Sequence, residues 1–441
     1  MKKTCSLLLV LALLIPLFSS AVAEGSTQIV LWHNYGGANG VAIEKMIADY
    51  NASQTDVVLT GVYQGSYNDL LTKVKAGMVS NDLPNLVVIA EYASSFMMQM
   101  EEYIVPAQNF IDKFNYDTSA TSSQFLYYYS LDGVQYAMPF AVSCPMLIYN
   151  KDAFKAAGLD PEIAPKNYDE VLAYAEKLTT YAADGTVERY GYGQWLSGML
   201  LGTGFAKMGM YYVNNENGRA AKATAVSDQF VEGAKIQIDT WMELLDSGYC
   251  VNLGSSYNDY ITALAAGTLA MTASSCANLA SIYSAVNGAF EVGVAEIPTY
   301  RESENGGVNI GGTGIWILNV GADEQKDAAW DFVTFAEKPE VQAAWSVGTG
   351  YVATSLASYE TQIYKDWLAQ YPTYLAAFNA LTAYTPTNLT TGALFPAEAE
   401  ARTLYVTALQ DVISGNATSE QAAENLAEEI NDAISNYYDA Q

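Results

Sequence analysis

One stretch decides how the chain is divided, and it reads Met138-Pro139-Phe140-Ala141-Val142-Ser143-Cys144-Pro145-Met146-Leu147-Ile148-Tyr149-Asn150-Lys151-Asp152-Ala153-Phe154. Apolar residues cluster at 138–142 and 146–149, with Pro145 between them. Because proline lacks an N–H and fixes φ, a central strand is not expected to run straight through it. The stretch predicts two short strands joined at a break, then a helix from about Ala153. This pattern is typical of a chain leaving one lobe for another, although a buried strand–helix unit of one domain fits the stretch equally well.

The N-terminus has the features of a secretory signal. Lys2 and Lys3 precede an apolar run from Leu7 to Phe18, and Ala21-Val22-Ala23 forms a small-residue cleavage site. The apolar run is too short to span a bilayer. The sequence therefore predicts a signal peptide over residues 1–23 and an exported protein. Cys5 precedes the apolar run, so no lipid-anchored cysteine is expected, which favours a periplasmic location.

Composition excludes several classes of protein. The chain has 441 residues, which suggests two or three domains, and a formal net charge of −28. So negative a surface repels phosphate backbones and anionic lipid, so we expect no nucleic-acid or membrane-surface partner. Cys144, Cys250 and Cys276 have no CxxC spacing, and His33 is the only histidine. We therefore expect no metal site, no cofactor and no disulfide framework, although one bridge remains open.

Hydrophobic periodicity predicts the elements of the first third of the chain. Strands are expected at 29–32, 57–62 and 86–90, with helices from about 41 and over 67–78. Strand-helix alternation with short connections indicates a parallel sheet covered on both faces. In such sheets ligands lie beyond the carboxyl ends of the strands. The segments His33–Gly37, Gln64–Tyr67 and Glu91–Ser94 fall at those ends, so we expect them to form one wall of a binding site.

The pattern restarts after residue 150. Further strands are expected at 269–272 and 290–297, and a glycine cluster over 306–314 leads into a strand at 315–318. This cluster is a candidate second crossing, and Gly348-Thr349-Gly350-Tyr351 is a third flexible point. The chain is therefore expected to pass back and forth between two lobes.

A set of short motifs, in order and at matching intervals, resembles one known family. The motifs are Leu31-Trp32-His33, Pro139-Phe140, Leu147-Ile148-Tyr149-Asn150-Lys151-Asp152-Ala153-Phe154, Ala157-Gly158-Leu159-Asp160-Pro161, Ala266-Gly267-Thr268-Leu269-Ala270-Met271-Thr272, Gly311-Gly312, Lys338-Pro339-Glu340 and Thr349-Gly350-Tyr351. Over nearly its whole mature length, the chain resembles the extracellular solute-binding proteins of ABC sugar importers, family 1. Within that family it is most similar to the glycerol-3-phosphate-binding member.

The resemblance implies an α/β, two-lobed periplasmic-binding-protein fold of type II, with mostly parallel sheets, flanking helices and a ligand cleft between the lobes. The first lobe would comprise 24–141 plus 312–355, and the second 142–311 plus 356–441. The implied partners are a small-molecule ligand, a pair of membrane permease subunits and their ATPase, with the protein itself a monomer.

The resemblance also implies ligand contacts. Carried over by motif from the glycerol-3-phosphate-binding member, they fall on Tyr67, Glu91, Ser143, Ser274, Ser275, Gly312 and Tyr351. One departure concerns charge. The arginine of that member corresponds to a position near Thr391, and Arg402 is out of register. Loss of a fixed bidentate cation weakens the case for a phosphate ligand.

A sugar requires groups that pair with hydroxyls and aromatic faces that stack on C–H surfaces. Trp195 is a candidate for stacking, and His33 and Asn34 follow the first strand as secondary candidates. Structural roles compete with each assignment. Trp195 could be a core residue, Ser275 a helix cap and Gly312 a purely conformational glycine.

These observations predict the substrate-binding component of an ABC importer that captures a sugar or oligosaccharide. The alternative ligand is glycerol 3-phosphate or a glycerophosphodiester. An exported carbohydrate-active enzyme with paired Asp and Glu residues is the alternative of a different class. An adhesin or the binding partner of a sensor could reuse the same fold.

Overall fold

The computed structural model describes residues 25–440. The predicted signal peptide over residues 1–23 lies outside the described residues. Across 25–440 there is no helix with the length and apolar character that crossing a membrane requires.

Fourteen strands are formed within this range. They are β1 Thr27–His33, β2 Val57–Tyr63, β3 Leu86–Ala90, β4 Ile104–Val105, β5 Ser130–Leu131, β6 Val134–Gln135, β7 Met138–Ser143, β8 Pro145–Asn150, β9 Thr180–Tyr181, β10 Val187–Gln194, β11 Cys250–Val251, β12 Leu269–Ser275, β13 Val292–Glu296 and β14 Gly311–Leu318.

Eighteen α-helices accompany the strands in the same range. They are α1 Gly37–Ser53, α2 Tyr67–Ser80, α3 Ser94–Gln99, α4 Ala107–Phe114, α5 Ser123–Tyr128, α6 Lys151–Ala156, α7 Tyr168–Leu178, α8 Met199–Met208, α9 Asn214–Gly218, α10 Phe230–Asp246, α11 Tyr257–Ala265, α12 Leu279–Val286, α13 Asp323–Ala336, α14 Pro339–Thr349, α15 Gln362–Gln370, α16 Leu375–Thr382, α17 Glu398–Ile413 and α18 Ser419–Asp439.

Two separate sheets organise the molecule, and we refer to the parts built around them as the first and second lobes. The first sheet has the order β2-β1-β3-β14-β4, with β7 also paired to β14; the second has the order β11-β10-β12-β8-β13, with β9 on β10. The fourth strand in each order is β14 in the first sheet and β8 in the second. Each of these strands enters its sheet after the chain has crossed from the other lobe. The α/β fold class is confirmed by this arrangement of sheets and flanking helices.

The sheets are mixed, which corrects the expectation that they are mostly parallel. The pairs β1–β2, β1–β3, β10–β11 and β10–β12 are parallel. The strands that arrive by a crossing, β14 and β8, run antiparallel to each of their neighbours. The periodicity of the separate strand-helix units predicted the parallel pairs, but it carries no information on the direction of a strand entering from elsewhere.

The crossing predicted at 138–150 lies where the first sheet passes into the second. Strand β7 ends at Ser143 and β8 begins at Pro145, so the break falls at Cys144. Proline is tolerated as the first residue of a strand because its missing N–H is not needed there. The backbone carbonyl of Cys144 accepts a hydrogen bond of 3.0 Å from the N–H of Cys276, which ties the crossing to the end of β12. Cys144, Cys250 and Cys276 are all buried with free thiols.

The amphipathic pattern predicted for α1 is confirmed. Ile43, Met46, Ile47 and Tyr50 are its buried residues, and each fully buried apolar side chain of this kind contributes about 1.5–3 kcal/mol. Helix α2 begins at a capping box in which Ser66 and Asp69 bond each other's backbone N–H.

The C-terminal helices divide between the lobes. Helix α14 packs on α1 of the first lobe, whereas α17 and α18 pack on α10 of the second. The exact lobe limits given above stay a prediction.

Candidate functional site

A small polar cavity, which we call the interlobe cavity, lies where the two lobes meet. It has a volume of about 10 Å³, and Glu91 of the first lobe and Tyr212, Asn309, Glu398 and Arg402 of the second are among its lining residues. That volume holds roughly one water molecule. The lobes must therefore separate to admit a larger molecule.

Three charged side chains, which we call the cleft ion network, form the centre of this cavity: Glu91, Glu398 and Arg402. The Arg402 Nη2 atom lies 2.7 Å from Oε1 of Glu91 and 2.7 Å from Oε1 of Glu398. Glu398 and Arg402 are one turn apart on α17, while Glu91 follows β3 in the first lobe. One second-lobe guanidinium thus bridges carboxylates from both lobes.

Burial and charge act in opposite directions on this network. Burial raises the pKa of Glu398, and the neighbouring Arg402 opposes this effect without cancelling it, so the pKa stays above its ordinary value. Burial lowers the pKa of Arg402, but the carboxylates of Glu91 and Glu398 outweigh this effect and leave it above its ordinary value. Arg402 therefore stays charged, and its guanidinium also lies 4.7 Å from the centroid of the Tyr92 ring.

Two further groups face the same cavity without a hydrogen-bond partner among the described residues: the Tyr212 hydroxyl and the Asn309 Oδ1 atom. Both residues are buried, at 3% and 6% exposure. Buried polar atoms in folded proteins are almost always paired. The Tyr212 ring is fixed by stacking on Phe205, 5.3 Å between centroids, and on Phe230. The Tyr212 hydroxyl is therefore already held in position for a ligand.

A second group of side chains lies beside the crossing, and we call it the hinge-side cluster: Tyr35, Tyr67, Trp345 and Tyr351. The hydroxyls of Tyr67 and Tyr351 are 2.9 Å apart. The Tyr351 ring stacks on Trp345 at 5.7 Å, and Tyr35 meets Tyr351 edge-on at 6.1 Å. Asn34 forms a side-chain hydrogen bond with Tyr67. Burial raises the pKa of Tyr35, Tyr67 and Tyr351, so the cluster is neutral.

The serines implied by the resemblance lie at the crossing itself. Ser143 ends β7 opposite Gly311, and it is buried. Ser275 ends β12, and its Oγ accepts a hydrogen bond of 3.3 Å from the N–H of Ala277, which is a capping role. The Ser274 Oγ accepts one of 3.1 Å from Asn278. Both serines are therefore already used locally, and a ligand would share them.

Gly312 has a conformational reason to be glycine. Its φ is +96°, and a Cβ there would lie 1.8 Å from the Ala141 carbonyl oxygen. A Cβ on Gly350 would likewise lie 2.4 Å from the Cys276 carbonyl oxygen. These two close approaches show that three segments lie together: the turn after β12, the crossing, and the segment that carries Tyr351.

The remaining candidates lie apart from the interlobe cavity. His33 is 3% exposed, its ring lies 6.0 Å from those of both Tyr35 and Tyr63, and its Nδ1 has no hydrogen-bond partner within 25–440. Burial lowers the pKa of His33, which keeps the ring neutral. Trp195 is half-buried directly after β10, and its stacking role stays a prediction.

The sequence reasoning missed four residues that line the interlobe cavity: Tyr212, Asn309, Glu398 and Arg402. A weak signal existed for two of them, because an acid four residues before an arginine predicts an ion pair on one helix face. Nothing in the local pattern indicated that this face of α17 would meet Glu91. That contact depends on how α17 packs on α10 and α18.

Comparisons with known proteins agree on the class of this chain. Residues 45–377 match the family model described as bacterial extracellular solute-binding protein. The sn-glycerol-3-phosphate-binding periplasmic protein UgpB of Brucella abortus (strain 2308) is 26% identical over 96% of this chain and 96% of that relative.

Solved structures share the fold. UgpB from Mycobacterium tuberculosis, in complex with glycerophosphocholine, superposes with a TM-score of 0.76 at 20% identity, covering 94% of this chain and 100% of that one. The cyclic alpha-maltosyl-1,6-maltose binding protein from Arthrobacter globiformis gives 0.71 at 21% identity, covering 93% and 100%. These are two-lobed binding proteins, and the family model spans most of this chain. The chain belongs to the bacterial extracellular solute-binding protein family, whose members serve ABC importers.

Proposed function

We propose that this solute-binding protein captures a polyhydroxylated solute, a sugar or oligosaccharide, in the interlobe cavity. It acts in the periplasm as a monomer, performs no chemistry on the solute, and delivers it to a membrane permease pair with its ATPase. Family membership supports the role, and the chemistry of the cavity supports the class of solute.

The observation that carries the proposal is the cleft ion network together with the unpartnered Tyr212 and Asn309. A hydroxyl can donate to Glu91 or Glu398 and accept from Arg402 at once. The Tyr212 hydroxyl and Asn309 Oδ1 offer a donor and an acceptor beside it. Because Arg402 compensates carboxylate charge, a neutral polyol can enter without leaving an isolated buried charge.

The position of the network also links binding to lobe closure. Glu91 lies in the first lobe and Arg402 in the second, and they meet only when the lobes are together. A solute that bonds both residues interacts more strongly with the closed form than with the open one. Such differential affinity shifts the population toward closure, which is the signal a permease can read.

A phosphate-bearing solute, glycerol 3-phosphate or a glycerophosphodiester, is the second candidate because of Arg402. The threonine at position 391, where the resemblance implies an arginine, weakens the case for phosphate. Thr391 is fully buried and its hydroxyl donates to the Thr387 carbonyl at 2.7 Å. The site nevertheless has a guanidinium, since α17 supplies Arg402 from another position.

An exported carbohydrate-active enzyme is the alternative of a different class. Glycoside hydrolases also use two carboxyl groups that face one bond. Here Glu91 and Glu398 both contact the same Arg402 nitrogen at 2.7 Å, so both carboxyl groups are already engaged by one side chain. Release of chromophore from nitrophenyl glycosides would contradict the proposal.

A thermal-shift panel of neutral sugars, oligosaccharides and glycerol phosphates tests the proposal. A solute present at 100 times its Kd stabilises the folded form by about 2.7 kcal/mol, which is readily seen as a rise in Tm. In Glu91→Gln the shift should shrink strongly, because the amide cannot replace a charged acceptor. The control Glu232→Gln removes a surface acid paired with Arg301 and should keep the full shift. A panel without any shift, or an undiminished shift in Glu91→Gln, would refute the assignment.

A further inference from the structure

Two buried cysteines lie opposite each other where the chain passes between the lobes. Strands β8 and β12 are antiparallel, and their register pairs Pro145 with Ser275. One residue further in the same register, Cys144 lies opposite Cys276. The Cys276 N–H donates to the Cys144 carbonyl at 3.0 Å, which is a bond that an antiparallel pair makes. The two cysteines therefore extend this ladder by one pair beyond the ends of the strands.

The backbone geometry of such a pair suits a disulfide. Residues directly opposite each other project to the same face of a sheet, with α carbons about 5.5 Å apart in a hydrogen-bonded pair. A disulfide spans α-carbon separations of about 4.4–6.8 Å. The side chains of Cys144 and Cys276 are already hydrogen-bonded to each other. Joining the two sulfurs therefore calls for side-chain rotation and not for movement of a strand or a lobe.

The third cysteine within 25–440, Cys250, lies too far away to compete. It belongs to β11, and the order β11-β10-β12-β8 places two strand spacings between it and β12. Neighbouring strands are about 4.8 Å apart, so Cys250 lies about 10 Å or more from Cys276. A disulfide cannot bridge that separation. Among the described cysteines, the fold therefore allows one bridge, between Cys144 and Cys276.

Burial makes this pair inert once the protein has folded. Both side chains are 0% exposed. The hydrogen bond to Cys276, together with burial, raises the pKa of the Cys144 thiol, and the thiolate is the form that exchanges with disulfides. Exchange therefore has to occur during folding, while the crossing is still accessible. The family of this chain is extracellular, and proteins that fold outside the bacterial cytoplasm meet an oxidising environment.

We propose that an external disulfide oxidises Cys144 and Cys276 during folding, so that the exported protein carries a cross-strand disulfide at the crossing. The free thiols of this structure are its reduced form. The thiolate of one cysteine attacks a sulfur of the external disulfide, which forms a mixed disulfide and releases one thiol. The thiolate of the second cysteine attacks the protein sulfur of the mixed disulfide and releases the other thiol. The protein loses two electrons and two protons, and the external disulfide takes them up.

The bridge fixes the end of the crossing that belongs to the second sheet. It closes the segment 145–275 into a loop, and it prevents β8 from separating from β12 when the lobes move apart. Bending of the crossing on lobe opening is therefore confined to the first-lobe side of Cys144, where β7 ends at Ser143.

Thiol mapping of the wild-type protein tests the proposal. The protein is exported into a bacterial periplasm, purified without reductant, and unfolded in urea that contains iodoacetamide. Only Cys250 should be alkylated. The digest should contain the peptides of Cys144 and Cys276 joined to each other, with a mass lower by two hydrogens than the sum of the reduced peptides. Alkylation of Cys144 and Cys276 without prior reduction, or a bridge that includes Cys250, would overturn the assignment.

Refolding measures what the bridge contributes to stability. Protein unfolded in urea is refolded with either oxidised glutathione or dithiothreitol, and the Tm values of the two products are compared. The oxidised product should melt about 5 °C or more above the reduced one, because the bridge closes a long loop in the unfolded chain. Cys144→Ser and Cys276→Ser should each abolish this difference. The control Cys250→Ser, which changes another buried cysteine, should keep it.

Equal Tm values for the two wild-type products, or loss of the difference in Cys250→Ser as well, would overturn the role of the bridge in holding the crossing. If a serine variant of the pair does not fold, the thiol map and the wild-type comparison decide the question. These results do not depend on solute binding. A solute panel without any shift would refute the proposed function and leave the bridge standing.

Discussion

The hinge-side cluster and the cleft ion network are built in opposite ways. The cluster is neutral and lies within the first lobe, and its hydroxyls Tyr67 and Tyr351 bond each other at 2.9 Å. The network is charged and spans both lobes, with Arg402 at 2.7 Å from Glu91 and from Glu398. The cluster can persist when the lobes separate, whereas the network has to break.

This difference assigns separate tasks to the two regions. A group whose partners stay together in both forms can shape the cleft but contributes little to the free-energy difference between the open and closed forms. A group whose partners separate on opening contributes directly to that difference. Lobe closure should therefore depend on the cleft ion network far more than on the hinge-side cluster.

The largest effect is expected for Arg402→Met. This variant leaves Glu91 and Glu398 buried without their cation, and loss of one partner of a buried pair costs about 3–5 kcal/mol. Urea denaturation of the unliganded protein measures the free energy of unfolding, and calorimetry should find that solute binding is lost.

The matched control is Arg301→Met, because Arg301 pairs with Glu232 on the surface, where the two side chains are 48% and 61% exposed. Removal of this pair should cost about 1 kcal/mol or less. Equal losses in the two variants would mean that the cleft ion network is no more important to folding than a surface ion pair. The distinct role assigned to the network in lobe closure would then be wrong.

A smaller effect is expected from Glu337, a buried carboxylate of the first lobe for which the residues 25–440 supply no ion pair. The hydroxyls of Thr354 and Thr121 donate to Glu337, at 3.0 Å from Thr354 Oγ1 to Oε1 and 3.2 Å from Thr121 Oγ1 to Oε2. Burial raises the pKa of Glu337 from 4.5 to about 7, against the effect of these hydroxyls. Between these two values the folded protein binds more protons at this site than the unfolded chain. The contribution of Glu337 to stability therefore falls as the pH rises through this window, by about 3 kcal/mol in total, and is constant above it.

Glu337→Gln keeps the hydrogen-bonding shape and removes the titration. Urea denaturation at intervals from pH 5 to pH 8 should show a fall in stability that is smaller in this variant than in the wild type by about 3 kcal/mol. Parallel pH profiles for the two proteins would mean that Glu337 titrates normally. At Glu398 the neighbouring Arg402 opposes the rise in pKa that burial causes. A comparison of Glu337 with Glu398 therefore shows how a neighbouring cation affects the pKa of a buried carboxyl group.

The sequence predicted the parts of this protein that depend on local pattern. The apolar spacing of α1, the strand ends that place Glu91 and Tyr67, and the break between β7 and β8 all follow from periodicity and from proline chemistry. Tyr351 was placed by its motif and lies in contact with Tyr67.

The rest depends on packing between distant segments. The antiparallel direction of β8 and β14 follows from which sheet each strand enters, and the position of Arg402 follows from the packing of α17 on α10. Arg402 and Glu91 are far apart in sequence and belong to different lobes. No pattern within either segment indicates the other, and the resemblance points to position 391 instead of Arg402.

The smallest effect is expected for Tyr351→Phe, which removes one hydroxyl from the hinge-side cluster. Tyr67 keeps its bond to Asn34, and the phenyl ring keeps its stacking on Trp345, so the loss should be about 1 kcal/mol, the value of one hydrogen bond. If the cluster and the network are independent, the losses from Tyr351→Phe and Glu91→Gln should add to within about 0.5 kcal/mol in the double variant. A larger coupling in urea denaturation would show that the two regions act as one unit. Closure would then depend on the tyrosines as well, because the Glu91 carboxylate lies near enough to Tyr67 to affect the pKa of its hydroxyl.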